Sequence, residues 1–552
     1  MPPQTKGDWE RRKFLKTSGA VGAATLFSGH VGAYGSNDTN TLAQQSDQSG
    51  TDLVYATIVA PSSIDPMKSG DELEGIISHT LYDGLAGYSN SFPPEVEPGL
   101  AQDWQVSDDG KTYTLNLQDD AQFHNGDPVT AEDVVFSVER MMRMQRGPSW
   151  MWDGVLTPDS ATAVDETTVE LSLQKVYAPF VSTLPWMFVV NRNQVTANEQ
   201  DGDFGDHGDY GTQWLEQNDA GSGPYSLQNH QTGQRIVMNK HGDWWGQWPD
   251  GNTYERVVAQ LQMEVSTITG MMSNGQADMT DGWLSVDTYQ QLGNNSNISV
   301  STEVTFAPFF VFMNTQVEPL DDINVRKALA YALDYDTALS DVFVGAEKMV
   351  GPLPSAMQYS TDDIPSYTQN MEQARQQLQQ SDYNPNDISV TYTYVSGLTT
   401  ERNLGLLMQS NYNPLDIDFE VRKAPWTSIV SQSSNIQSSP QMFPLWSLIQ
   451  YADPDALLYN MWHSSNTNTY NNGSKYENDQ VDELLTQART TLDDQTREQA
   501  YTEVQQILAE DAAALFVCND VSRWAFNNRV NGFTNNGING YTHQFERYTE
   551  SQ

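Results

Sequence analysis

From Leu53 onward the chain alternates between short apolar runs of period two and longer stretches whose apolar residues recur at helical spacing, which limits it to mixed α/β architectures. Leu53-Val54-Tyr55-Ala56-Thr57-Ile58-Val59 reads as a first strand stopped by Pro61. Glu72 to Gly84 then carries Leu73, Ile76, Ile77, Leu81 and Tyr82 on one helical face. Trp104-Gln105-Val106 and Tyr113-Thr114-Leu115-Asn116-Leu117 flank Asp109-Gly110, whose glycine supplies the positive φ that a tight hairpin needs. At Thr130 a capping signature, with Asp133 reaching back from the third position, opens another helix. Further helices are expected at Val325 to Leu333, Met371 to Gln380, Val481 to Thr491 and Gln495 to Asp511.

A length of 552 residues exceeds what one hydrophobic core usually serves, so two or three lobes with room for a cleft are expected. Charge narrows the partners. Lys and Arg total 28 against 72 Asp and Glu, and the acids are dispersed, giving a formal net charge of −44. Such a surface repels a phosphate backbone, and no basic run with interleaved aromatics offsets it, which argues against nucleic acid. Self-repulsion of this size is screened in molar salt, where the Debye length is about 3 Å, so an extreme halophile of haloarchaeal type is the expected source. The single cysteine, Cys518, lies in Ala514-Leu515-Phe516-Val517-Cys518, a buried-strand pattern; it forms no intramolecular disulfide. The eight histidines show no His-Glu-x-x-His, and Gly221-Ser222-Gly223 lacks the nucleophile-elbow form, so neither a hydrolase nor a metal site is expected.

The first residues read as an address. Arg11-Arg12-Lys13-Phe14-Leu15-Lys16 precede a moderately apolar stretch from Thr17 to Gly29, an order that resembles a twin-arginine export signal. Val31-Gly32-Ala33 offers small residues for signal cleavage, and no cysteine nearby could take a lipid anchor. Residues 34–50 are a polar spacer, and no later apolar run reaches the roughly 18 residues a bilayer span needs.

Three stretches taken together carry a family likeness: Leu100-Ala101-Gln102-Asp103-Trp104, Ser107 to Leu115, and Phe123-His124-Asn125-Gly126-Asp127-Pro128-Val129-Thr130-Ala131-Glu132-Asp133-Val134-Val135-Phe136-Ser137. Ser222-Gly223-Pro224-Tyr225, Trp244-Trp245, Asn274 to Asp278, Asn324 to Asp334, Tyr451-Ala452-Asp453-Pro454-Asp455 and Val530-Asn531-Gly532-Phe533 follow in order. The sequence resembles the oligopeptide, dipeptide and nickel-binding family of extracellular solute-binding proteins, family 5 type. The resemblance implies a bilobal α/β fold of the large, three-subdomain periplasmic-binding type, with ligand held in a cleft between lobes. Lobe I would span residues 51–313, with an inserted subdomain near 83–219, and lobe II residues 314–514; residues 515–552 would return to lobe I. The implied protein is no enzyme and needs no cofactor. It would act as a monomer that closes over a peptide or other small polar solute outside the cell and passes it to ABC permease subunits in the membrane.

By position, Ser69 and Gly70 correspond to the first-lobe segment that meets the ligand, and Trp446 to Asp453 to the second-lobe segment. The ligand-binding set implied by the resemblance is completed by Phe309, Asn314, Trp426, Gln450 and Tyr451. An aspartate three residues before the Asp-Pro pair usually takes a peptide's α-ammonium; here Gln450 stands there, and a neutral amide cannot neutralise that charge. Either Asp453 or Asp455 substitutes from nearby, or the ligand lacks a free amino terminus, as an oligosaccharide would; nickel or haem carriage stays open within the same family. Asp453 and Asp455 are equally suited to cap the helix that begins after Pro454.

Overall fold

The computed structural model describes residues 52–262 and 264–551; the expected export signal and polar spacer lie outside the described residues. The chain opens with β1 (Asp52–Thr57) and α1 (Glu72–Leu81), where Asp71 accepts a hydrogen bond from the Glu74 amide as N-cap. The predicted hairpin forms from β2 (Ala101–Val106) and β3 (Thr112–Leu117), with Val106 opposite Tyr113 and Gly110 at φ 68°. α2 (Ala131–Met144) starts where expected: the Thr130 amide and hydroxyl both donate to Asp133 Oδ2, at 3.0 and 2.6 Å. With β4 (Ala161–Ala163) and β5 (Thr168–Ser172), the hairpin makes a separate four-stranded sheet in the order β2-β3-β5-β4.

The main sheet continues with β6 (Tyr225–Gln231), β7 (Arg235–Lys240), β8 (Arg256–Leu261) and β9 (Met279–Thr280). Then comes the sixteen-residue β10 (Ile298–Met313), followed by α3 (Ile323–Ala332), β11 (Glu347–Lys348) and α4 (Met371–Gln380). β12 (Ser389–Val395), β13 (Asp418–Ala424), β14 (Met442–Trp446), α5 (Asp455–Trp462), α6 (Asp479–Arg489), α7 (Asp494–Glu510) and β15 (Ala514–Asn527) complete the frame. The strand order is β13-β12-β14-β10-β15-β9-β1-β8-β7-β6, with β11 pairing to β15.

One sheet therefore serves both halves of the molecule, joined by the long antiparallel pair β10 and β15. Their register is regular at each end and breaks between Val304 and Pro308 and again after Phe309. The side chain of Asn519 patches the break, accepting from Ala307 N at 3.0 Å and donating to Thr305 O at 2.7 Å. Bulges of this kind bend a strand and end regular pairing, which suits a point where two halves change direction. On one side of the break a core of Phe309, Val311, Leu329, Tyr392, Met408 and Cys518 is sealed; the thiol is fully buried, as its strand pattern predicts. A larger core gathers Leu53, Ile76, Leu115, Trp152 and Tyr225 and continues past the break through Phe310, Phe312 and Trp462.

Strand direction then locates a cleft. β9 runs parallel to β1 and antiparallel to β15, with Met279 opposite Phe526, so its carboxyl end points toward the middle of β15. β14 runs antiparallel to β10, with Trp446 opposite Phe309, so its carboxyl end points toward the same break from the other half. β12 and β13 are parallel to each other, and β12 to β14, which puts Val395, Ala424 and Trp446 on that edge. Ligands of α/β sheets sit outside the carboxyl ends of strands, and here two such edges converge.

Candidate ligand cleft

The first wall is the loop from Ser62 to Asp71 and the turn after β9. Glu74 builds that loop: its Oε1 accepts from Ser62 N (2.7 Å), Ser62 Oγ (2.5 Å) and Ser63 N (3.3 Å), and its Oε2 from Gly70 N (2.7 Å) and Asp71 N (3.3 Å). Gly70 is thereby fixed through its backbone, and the hydroxyl of Ser69 is buried with no hydrogen-bond partner among the described residues. Trp283 follows β9 and leaves half its surface in solvent, 50% exposed, while its indole N–H donates to Glu72 Oε2 at 2.8 Å.

The second wall is the segment after β14. Trp446 packs edge-on against Phe309, ring centroids 4.5 Å apart, and donates from Nε1 to Asp520 Oδ2 at 3.0 Å, across the strand break. Burial raises the Asp520 carboxyl, and the indole bond partly offsets it. The backbone of the segment is pinned to other elements. Trp186 Nε1 donates to Gln450 O at 2.6 Å, Ala452 N to Tyr88 Oη at 3.0 Å, and Asn539 N to Ile449 O at 2.9 Å. Tyr451 is fully buried, its hydroxyl donating to Asp455 Oδ2 at 2.9 Å, with Trp150 6.2 Å away by ring centroid. These bonds tie Trp186, Tyr88 and Asn539 to the second wall.

The two acidic candidates of that wall are already engaged. Both oxygens of Asp453 accept from Arg497 Nη2, at 2.8 and 2.7 Å, and its Oδ1 also caps the Asp455 amide at the start of α5. Asp455 is fully buried; burial raises its carboxyl to about 6, against the pull of Arg489 at 3.8 Å. The capping alternative thus has a direct counterpart in the hydrogen bonds.

Seven of the nine implied residues fall on or beside the converging edges: Ser69, Gly70, Trp426, Trp446, Gln450, Tyr451 and Asp453. Trp426 follows β13 and meets Tyr470 edge-on at 5.1 Å. Phe309 and Asn314 are placed differently. Phe309 is sealed between Phe343 and Trp446 and supports the wall from behind. Asn314 follows Met313, which pairs with the far end of β14, and its buried amide is spent on Ile436 O and Gln316 N. The side chains sequence reasoning passed over are Glu72, Trp283, Asn536 and Asn539. Asn536 Nδ2, Asn539 Oδ1 and Ser447 Oγ are buried without hydrogen-bond partners among the described residues. Such atoms cost free energy until something fills the place of water, and together with Ser69 they offer donors and acceptors from several segments.

Comparison with known proteins gives one consistent result. The family described as bacterial extracellular solute-binding proteins, family 5 middle, matches residues 95–469. The chain is 27% identical over 492 residues to the probable D,D-dipeptide-binding periplasmic protein DdpA of Escherichia coli, covering 88% of this chain and 91% of that one. It is 24% identical over 546 residues to heme-binding protein A of Haemophilus influenzae, covering 94% and 96%. Among solved structures, the ABC transporter substrate-binding protein CtaP of Listeria monocytogenes superposes with a TM-score of 0.80 at 21% identity, covering 91% of this chain and 99% of that one.

Proposed function

The chain belongs to the family 5 extracellular solute-binding proteins, and we propose that it captures dipeptides or oligopeptides between two closing lobes and delivers them to an ABC permease. Its lobes would be residues 51–313 with 515–552, carrying the insertion at 83–219, and residues 314–514. The observation that carries the peptide reading is the set of buried, unpartnered polar atoms at the cleft, Ser69 Oγ, Ser447 Oγ, Asn536 Nδ2 and Asn539 Oδ1. A peptide main chain alternates N–H donors and C=O acceptors and can answer all four without regard to side-chain identity. The D,D-dipeptide relative supports the same ligand class.

Haem or nickel carriage is the second reading, favoured by the haem-binding relative. Among the described residues no group of three or more His, Cys, Asp or Glu side chains is arranged to hold a bare metal ion, which bears on bare nickel and not on haem. Export by the twin-arginine route, from Arg11-Arg12, and a role outside the cell in molar salt complete the proposal. A thermal-shift screen of the chain lacking residues 1–33, in molar KCl, tests it with di- to hexapeptides, oligosaccharides, haem and nickel. A ligand at a hundred times its Kd adds about 2.7 kcal/mol, a rise of a few degrees. Stabilisation by peptides is expected; stabilisation by haem, nickel or sugars alone would replace the peptide assignment.

A further inference from the structure

Three acidic side chains open α1, and the structure spends two of them on the fold. Asp71 caps the helix, accepting from Glu74 N at 2.9 Å. Glu74 is buried and holds the preceding loop through five hydrogen bonds. Glu72 does neither. Its Oε2 accepts from Trp283 Nε1 at 2.8 Å and its Oε1 from Thr542 Oγ1 at 3.0 Å, and no Lys, Arg or His pairs with it among the described residues. Each carboxylate oxygen accepts once from the protein and keeps a lone pair free.

The surroundings all favour a visiting cation. The titratable groups around Glu72 include Asp71 beside it, Asp281 after β9, Tyr55 on β1 and Tyr289, all neutral or negative, and His543, which follows Thr542, lies 5.3 Å from Tyr55 by ring centroid and is kept neutral by burial, its pKa lowered to about 3. The Tyr55 side chain is 2% exposed and lies in the field of both Glu72 and Asp281. Ser69, three residues before Glu72, carries a buried hydroxyl without a partner among the described residues. Solvent reaches the group past Trp283, whose indole is half exposed and so not a core residue. Burial lifts the Glu72 carboxyl to about 7, as happens to an acid that lacks a charge partner. Across the cleft, Asp453 is neutralised by Arg497 and Gln450 carries no charge, so the second wall offers a cation less.

Resting on the peptide reading, we infer that this chain takes its ligand's positive charge on the first wall: the Glu72 carboxylate, beside the Trp283 indole, holds the amino-terminal ammonium of a bound peptide. The charge partner has moved from the second wall to the first, and with it the end of the cleft at which the peptide's amino terminus lies.

Calorimetric titration in molar KCl with dialanine, trialanine and their N-acetylated forms tests this. The unmodified chain should bind the free peptides at least tenfold more tightly than the acetylated ones, about 1.4 kcal/mol. Glu72→Gln should lose that discrimination, weakening for free peptides and holding steady for acetylated ones. The amide keeps both protein contacts, accepting from Trp283 and donating to Thr542, so an unchanged melting curve is the folding control. Should the variant fail to fold, Glu72→Asp keeps the charge and must still discriminate. Equal affinity for free and acetylated peptides, or full discrimination surviving in folded Glu72→Gln, overturns the inference while leaving peptide capture standing. Binding of neither form at millimolar concentration overturns both.

Discussion

On the second wall one guanidinium nitrogen of Arg497 donates to both oxygens of Asp453, whereas on the first wall Glu72 receives an indole and a hydroxyl and no cation. Both carboxylates sit beside the same cleft, yet the first kind is scaffold and the second is available. A buried ion pair adds little net stability but punishes removal of one partner, so Asp453 and Arg497 fix the geometry of α5 against α7. An unpaired, partly buried carboxylate gains from any cation that arrives, so Glu72 is placed to recognise. In a chain with 72 acidic residues the presence of an acid means little, and its pairing means a great deal.

Removing one partner on the scaffold side should have the largest effect. Arg497→Met leaves Asp453 charged and unpaired, and a loss of about 3–5 kcal/mol is expected in denaturant titration at molar KCl; a loss under about 1 kcal/mol would erase the contrast between the walls. Trp446→Ala comes next, because the ring packs on Phe309 and Phe343 and its indole satisfies Asp520. We expect about 3 kcal/mol less stability together with more than tenfold weaker peptide binding, about 1.4 kcal/mol; equal affinity would remove Trp446 from the wall.

Two pH measurements sharpen the comparison further. An ammonium binds the ionised form of Glu72, whose carboxyl is raised to about 7, so peptide affinity should rise about fivefold between pH 6 and pH 7. Glu72→Gln should flatten that profile. Glu401, beside the carboxyl end of β12, is 2% exposed, has Val395 N as its hydrogen-bond donor, and is raised to about 8 by burial. A carboxyl raised on folding contributes stability below its unfolded pKa and loses it as pH climbs through the folded value. Between about pH 7 and pH 9 the unliganded protein should therefore lose about 1 kcal/mol that Glu401→Gln does not lose. Parallel pH profiles for the two proteins would contradict the assignment.

What the sequence made legible was local. The hairpin at Gly110, the start of α2 at Thr130, helix Met371–Gln380 and the buried Cys518 all depend on residues within a few positions of one another. Boundaries drifted where a neighbour in space decided them: α1 stops at Leu81, three residues before the expected Gly84, because Tyr82 turns extended at φ −130° and Asp83 accepts from Ser222 Oγ and Trp245 Nε1. The family likeness placed the wall segments, since ordered motifs carry register across the whole chain. It did not place the charges. Arg497 lies 44 positions after Asp453, and Thr542 lies 470 positions after Glu72; no spacing rule connects such pairs. Asn314, which the likeness put in the ligand-binding set, lies by strand register at the far end of β14.

The most direct test of the central claim is calorimetric titration of the mature chain with a ladder of unmodified peptides at several temperatures in molar KCl. Enclosure of a peptide between two lobes predicts saturable one-to-one binding with a negative heat-capacity change, the mark of apolar surface leaving water. Saturation by oligosaccharides or haem with no heat from any peptide would contradict it.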